Sequence, residues 1–537
     1  MKNESLDLTL SCIRNLYEAG NALEAYQETC ALLEKNPTNP NIRSYSASFF
    51  IDIGSVLRDI TIVDSGINLI EELITEEVPD FEDAVRANLE YNLSNGYSTR
   101  FRILTEQGET EQAEESLQRS KSLLQSVLLN KRVVDADLVA LVMANYANAL
   151  NFTGRTVEAI DWYMDCLKRY PKHAVAMANS GIAIKRILGV SEPHTTKNLY
   201  ESWRLLSRAS KLEEEALKLA GPSAVEGFRM HLEDLVNKIT INIAGGLEEL
   251  RQWSIHRTKQ HGLPKAPTWL MTANQDRLLL TLNLNPLNST EECIDDLFFP
   301  SLVTESGEQG TNRFRKLAHT LNTIKEDYVT ARYLFYHCDE AETNLASRGA
   351  VTHYANTLDY ADYGLAIGLR KASFRLAADC LDKIAILINE YFNLEHNENR
   401  VNINNVWYEN CSPKKPLHPT LANILQSNPF LAAIRDLQKD WFLQNFPAPL
   451  KAARDAATHR RLVLYWMKPT TKTEFDVKWD ISDFREFAFF LLRMVKAATI
   501  YAVCAITLEE QNRDDTGVFT APVSFRLGPG LTEMSSG

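Results

Sequence analysis

The sequence predicts an all-α protein in two parts: a solenoid of paired helices from 1 to about 255, and a second, mainly helical domain over 269–511. Three observations predict this. Helix-pair signatures recur at a fixed spacing in the first half, a Gly/Pro-rich break interrupts the chain at 256–268, and helical patterns resume from about Thr311. Composition agrees: 537 residues, 45% hydrophobic and 24% charged, with 22 Gly and 19 Pro, suit a globular chain rather than a disordered or collagen-like one. A net charge of -13, from 57 Lys and Arg against 70 Asp and Glu, excludes global attraction to nucleic acid or anionic lipid. Any nucleic-acid contact must then use a local basic patch.

The repeat signal is strongest from Ala140 to Lys172, ALVMANYANALNFTGRTVEAIDWYMDCLKRYPK. Small Ala147 lets the first helix pack closely, Gly154 makes the inter-helix turn, Ala159 and Tyr163 form a small-then-large contact, and Pro171 ends the second helix. Gly181 follows Ala147 by 34 residues, the period of a tetratricopeptide repeat, with the right residue type. Weaker copies fall in the same frame at Gly20, Ala25 and Pro37, and at Gly108, Ala113 and Leu117. Further helical patterns occupy Leu199–Ala220 and Ala224–Trp253. Each pair exposes an apolar face that a neighbouring pair must cover, so 1–255 is expected to stack as one solenoid. Such a solenoid either holds a protein or peptide partner or packs on its own second domain, and the spacing leaves both open.

Beyond HRTKQHGLPKAPTW, the segment from Met271 to Val303 mixes β-propensity residues with Asn/Pro turns. Helices are expected from Thr311 through Phe392, then, after an irregular stretch at 397–419, at about 419–441, 447–466 and 481–511. Residues 512–537 read as a loose C-terminal tail. Eight cysteines lie far apart with no CxxC pair or zinc spacing, so reduced, mostly buried thiols are expected, with no metal and no cofactor. The longest uncharged apolar run, Ala497–Leu508, is too short to span a bilayer, and no charged leader precedes a long apolar stretch; the expectation is a cytoplasmic protein without a membrane partner. Acidic runs such as Glu213–Glu215 and Glu71, Glu72, Glu76 and Glu77 read as solvated helix faces. There is no phosphate-binding Gly-rich loop, HExxH or GxSxG.

The segment LKAARDAATHRRLVLYW places Arg454, Asp455 and His459 beside Lys451, Arg460 and Arg461. RNA transesterification needs a proton-transfer group near neutral pKa and a fixed cation for the charge growing on phosphorus; histidine and arginine meet these needs. Asp455 and His459 are four apart and share a helix face, so the carboxylate is placed to orient the imidazole. Arg454 points about 140° away from His459 around an ideal helix, so the two converge through a long side chain, a helix end or a second protomer. An Arg followed by four to six residues and a His occurs five times in this chain, so spacing alone leaves a solvated basic helix face equally open. Only Arg454/His459 adds a polar residue after the arginine, small residues between, and a basic flank suited to an RNA backbone. Arg332 and His337, on a helix dense in aromatics, form a second pair. They either line the same cleft or belong to a core in which Tyr333, Phe335 and Tyr336 are anchors and His337 is a hydrogen-bonded core histidine.

Over about 264–466 the sequence resembles the HEPN superfamily, in the branch carrying N-terminal tetratricopeptide repeats. The residues behind this are LPKAPTWLMTANQDRLLLTLNLNPL, IDDLFFP, VTARYLFYHCDEAE, VNINNVWY, and NPFLAAIRDLQKDWF running into LKAARDAATHRRLVLY. The resemblance implies a HEPN domain over 269–511 and a metal-independent endoribonuclease, a toxin or antiviral effector, in which Arg-polar-xxx-His helices of two protomers build one composite site. A homodimer and a 2',3'-cyclic phosphate product follow from it. The motif falls on Arg454, Asp455 and His459, with Asp455 standing where such proteins most often carry Asn. Lys451, Arg460 and Arg461 would hold flanking phosphates of the RNA.

Overall fold

The computed structural model describes residues 2–76, 83–129, 135–256, 266–284, 293–300, 302–304, 308–343, 354–355, 357–440, 450–459, 461–467, 476–513 and 519–520. It is an all-α architecture with a few short strands. The chain divides into two compact units, one of 1–152 with 162–176, the other of 153–161 with 177–537. The break expected at 256–268 falls largely on 257–265, outside the described residues, as does most of the tail from 514 on.

The first unit is built of α1 (Lys2–Glu18), α2 (Ala22–Lys35), α3 (Pro40–Leu57), α4 (Ile60–Thr75), α5 (Asp83–Gln107), α6 (Thr110–Leu129), α7 (Ala136–Phe152) and the later turns of α8 (Thr156–Arg169). From α1 to α7 each helix packs on the next, and α3 also packs on α5 and α5 on α7, the neighbour pattern of stacked helix pairs. Asn39 and Asp59 cap α3 and α4 by accepting backbone N–H groups, and Pro40 occupies the first position of α3. The core alternates small and branched residues: Ala47, Ile51, Val63, Ile67, Ile70, Leu89 and Leu93 form one cluster, and Ile13, Ala25, Ile42 and Ile53 another. Ala147, Ala159 and Tyr163 are fully buried as the repeat reading requires, and Tyr163 Oη donates to Asn148 Oδ1 at 2.6 Å. Gly154 turns the chain between α7 and α8 with φ +82°, a conformation that glycine adopts without strain; Gly20 and Gly108 make the matching turns. Glu72 and Glu76 are exposed, as expected of a solvated face, and both pair with Arg43, while Glu71 accepts from Tyr97 Oη at 2.7 Å; Glu77 lies outside the described residues.

After 153–161, the second unit continues with α9 (Ala174–Arg186) from 177 on, α10 (Thr195–Ser210), α11 (Glu213–Asn242) and α12 (Gly246–His256). Gly181 lets α9 approach α10, because an added Cβ would stand 2.9 Å from Leu206 and 3.0 Å from the Ser202 carbonyl. The helix α11 is broken at Gly221–Pro222, where Gly221 has φ 78° and ψ 175°, so two helical pieces meet there. After α13 (Thr268–Gln275), the described part of the β-rich stretch is mostly irregular, with only the short β1 (Val303–Thr304).

The remaining elements are α14 (Glu308–Thr343), β2 (Ala361–Asp362), α15 (Leu365–Phe392), α16 (Pro419–Ser427), α17 (Pro429–Asp440), α18 (Leu450–His459), β3 (Arg461–Tyr465), β4 (Asp476–Asp480), α19 (Ile481–Gln511) and β5 (Phe519–Thr520). Helices α14 and α15 form an antiparallel hairpin, seen in Ser373 Oγ donating to Ala331 O and Thr320 Oγ1 donating to Glu390, 2.7 and 2.8 Å. Helix α19 packs along both, with Phe484 and Phe487 on Phe374 at one end and Glu510 accepting from Tyr391 Oη at the other. By length and apolarity α19 is able to cross a membrane, longer than the run Ala497–Leu508 implied; 83% of its apolar window is buried inside the protein, as in a core helix.

Two corrections concern the sequence reading here. The helix expected across 447–466 ends at His459, and Arg461–Tyr465 instead forms β3, parallel to β4 and antiparallel to β2. The run RLVLY is apolar enough, with the strand formers Val463 and Tyr465, to serve a buried strand, which an apolar count alone does not separate from helix. All eight cysteines are free thiols, but four, Cys166, Cys338, Cys380 and Cys504, are buried rather than most of them.

Residues 153–161 carry three buried charged side chains, Arg155, Glu158 and Asp161. The guanidinium of Arg155 is fully buried and donates to Glu158 at 2.8 and 2.7 Å, to Asp436 at 3.3 Å and to Asp440. Tyr501 Oη of α19 accepts from the backbone N–H groups of Val157 and Glu158 at 3.0 and 3.2 Å. Asp161 pairs with Lys496 at 2.5 Å and with Arg277 at 3.4 Å. Gly154 sits so close to the Pro429 carbonyl that a Cβ would stand 2.6 Å from it.

Candidate active site

The helix α18 is built from strong helix formers, LKAARDAATH. Ala453 and Ala456 are buried, and their small side chains let α18 lie against α15. Arg454, one residue after Ala453, reaches α15: its Nη2 donates to Asp382 Oδ2 at 2.6 Å and to Asp379 Oδ1 at 3.4 Å. Asp379 and Asp382 are three apart and so share a helix face. The other oxygen of Asp382 accepts the Ile403 backbone N–H at 3.1 Å, which fixes the carboxylate from both sides. Burial pushes the Asp382 carboxyl above the usual aspartate range, while Arg454 pulls it down. The guanidinium is therefore held in place, and the Arg454 side chain is still 27% exposed.

Asp455 is half-buried on the same helix, and Arg461 is exposed at the start of β3. His459 is the last residue of α18, but its side chain and that of Lys451 lie outside the described residues, as does Arg460 altogether.

Arg332 and His337 stand on α14, whereas the partners of Arg454 come from α15. Arg332 is buried and bidentate on Asp295, with Nη1 also donating to the Leu278 carbonyl at 2.7 Å. Tyr328 Oη donates to the same carbonyl at 2.9 Å. This fork ties Leu278 and Asp295 to α14, a structural task. His337 stacks on Tyr333 with ring centroids 3.8 Å apart and lies 5.6 Å from Trp269. Phe335 is buried as a core anchor, but Tyr333 is 43% exposed and His337 half-exposed, so the reading of both as core residues is corrected. They belong to the partly open end of an aromatic cluster.

A separate cavity of about 710 Å³ lies between the ends of α14, α15 and α19, lined among others by Arg313, Lys316, Glu390, His396, Glu398 and Arg513. Its cations are engaged: Lys316 pairs with Glu398 at 2.7 Å, and Arg313 and Arg513 with Glu510 at 3.7 and 3.3 Å. Such a charge balance does not favour a phosphate.

The residues that sequence reasoning missed are Asp379 and Asp382. Their DxxD spacing was readable, but its meaning depends on α18 packing against α15, which no local pattern encodes.

Residues 309–509, from the start of α14 nearly to the end of α19, match the LA2681-like HEPN family. This part of the chain is an HEPN domain. No curated protein matches the chain. The match contains the hairpin α14–α15, the helix α18 and the core helix α19, so Arg454 and its two carboxylate partners all lie inside the HEPN domain. An HEPN domain points to ribonuclease or nucleotide-related chemistry.

Proposed function

We propose that this chain is a metal-independent endoribonuclease of the HEPN type, acting as a toxin or antiviral defence effector in the cytoplasm. The observation that carries the reading is the placement of Arg454, Asp455 and His459 on one short helix within the HEPN match, with Arg454 oriented by Asp382 and Asp379. In the proposed mechanism His459 moves the proton at the 2'-hydroxyl or the leaving oxygen, and Arg454 stabilises the charge developing on phosphorus. Asp455 orients the imidazole, and Lys451, Arg460 and Arg461 hold flanking phosphates. Attack by the 2'-hydroxyl leaves a 2',3'-cyclic phosphate. One Arg454/His459 pair per protomer is half of a composite site, which calls for a homodimer. The repeat segment 1–255 then serves as a tetratricopeptide-like domain that takes a protein or peptide partner and regulates cleavage.

Cleavage of total RNA in EDTA with end-group analysis tests this. Cyclic phosphate ends, lost in Arg454→Ala and His459→Ala, are expected; unchanged cleavage by His459→Ala would sink the assignment. A second reading has its own support: Arg454 is already engaged by two carboxylates, and Asp455 replaces the more usual Asn. Under it the domain binds RNA, nucleotide or a protein partner without turnover, and RNA affinity with no cleavage in any condition would favour it.

A further inference from the structure

Two cations on α15 have neither a hydrogen bond nor an ion pair among the described residues: Arg375, which is exposed, and Lys371, which is half-buried. They share a helix face with the carboxylates that hold Arg454, since Lys371, Arg375, Asp379 and Asp382 follow one another at spacings of four, four and three. Asp379 stands at the spacing of a helical ion pair from Arg375, yet it accepts from Arg454 instead. Asp362 acts on Lys371 from β2, but its Oδ1 accepts the Tyr363 backbone N–H at 2.9 Å. Burial lowers the Lys371 ammonium below the usual lysine range, with Asp362 opposing, so an anion placed beside it favours the charged form. The face stays open toward the start of α15: a Cβ added at Gly368, seven residues before Arg375, would meet nothing within 4 Å.

The run of the chain sets these cations beside the α18 site. Arg454 meets α15 at Asp379 and Asp382, while β3, which follows α18, pairs through Leu464 with Asp362 of β2, three residues before α15 begins. The α18–β3 segment therefore runs back along α15 toward its N-terminus. The lengths agree: about 21 Å of helix from Asp379 to Leu365, and about 24 Å of helix and strand from Arg454 to Leu464. His459 lies five residues beyond Arg454, about 7.5 Å along α18, and five residues back along α15 from Asp379 and Asp382 brackets Arg375. Lys371 comes one turn later, about 6 Å from Arg375. We propose that Arg375 and Lys371 hold phosphates of the RNA on the α15 side of the α18 helix, level with His459 and just beyond it. The proposal rests on the ribonuclease reading above and adds two contact residues from outside the α18 segment. Two cations one turn apart, left unneutralised because the neighbouring carboxylates are taken by Arg454, match a chain of repeated anions.

The test measures binding of a short single-stranded RNA to the full-length His459→Ala protein across a salt series, with Arg375→Gln, Lys371→Gln and Arg375→Lys added in turn. Circular dichroism checks that each variant folds. Each glutamine substitution is expected to lower the slope of log affinity against log salt by about one and to weaken binding roughly three- to tenfold. Arg375→Lys should keep the parent slope, because a phosphate contact follows the charge. Unchanged slopes in both glutamine variants overturn the proposal, as does a slope lost equally in Arg375→Lys. Dissociation to a smaller species in Arg375→Gln, with RNA affinity intact, also overturns it and assigns the face to a second copy of the chain. Cleavage by wild type with unchanged slopes would leave the ribonuclease without this contact; charge-dependent binding without cleavage by wild type would leave the contact and remove the ribonuclease.

Discussion

Two arginines of the second unit meet carboxylates in different ways. Arg155 is fully buried and surrounded by Glu158, Asp436 and Asp440, whereas Arg454 keeps 27% of its side chain exposed and meets Asp382 and Asp379 through one nitrogen. A buried guanidinium whose donors are saturated by protein is committed to architecture, since leaving it unpaired is costly. One that is steered by carboxylates yet open to solvent is placed where the proposed ribonuclease needs a fixed cation. Solvent access and saturation, rather than the presence of an ion pair, separate the two roles.

The sharpest way to break this comparison is to remove each arginine. Arg155→Ala removes the guanidinium shared by three buried carboxylates and is expected to cost about 3–5 kcal/mol of stability, read by denaturant unfolding. Arg454→Ala should cost about 1 kcal/mol, because its partners remain partly hydrated. If the two losses are equal, the distinction fails.

Next in size is Asp382→Asn. It keeps the hydrogen bond from Ile403 but removes the charge that fixes Arg454, so RNA cleavage is expected to fall about tenfold with folding retained. A rate unchanged within error would show that Arg454 needs no positioning.

A pH series distinguishes the buried cluster further. Burial holds the Glu158 carboxyl above its usual range, opposed by Arg155 and reinforced by Asp440 and Asp436. Because the folded pKa is raised, its contribution to stability is fully present below the usual glutamate pKa and is lost as pH rises through the elevated value. Glu158→Gln should flatten that decline in a series of thermal midpoints; an identical pH profile would show that this group does not titrate there.

The smallest effect concerns the basic flank. Arg461→Ala and Lys451→Ala should each weaken RNA binding across all sequences and reduce the salt slope by about one.

Much of the fold was legible because its determinants are local. The spacing of Ala147, Gly154 and Gly181 encodes helix pairs through close approach and a left-handed turn, and the structure places each residue in that task. The RDAATH helix was legible for the same reason, as Ala-rich sequence between charged residues. What remained hidden depends on distant partners. Arg155 follows a turn glycine, and nothing local marks it as buried; Asp436 and Asp440, at sequence separations of 281 and 285, close around it. LVLY carries no period that separates strand from helix, and pairing with β2 and β4 makes it the strand β3. Arg332 offered the same Arg-to-His spacing as Arg454, yet Asp295 makes it a strut.

The most direct test of the account measures RNA cleavage in EDTA and thermal stability on the same preparations of wild type, Arg454→Ala and His459→Ala. Both variants are expected to remain folded and to lose cleavage by at least about a hundredfold. Cleavage by a folded His459→Ala protein at the wild-type rate would contradict it and move the chemistry away from α18.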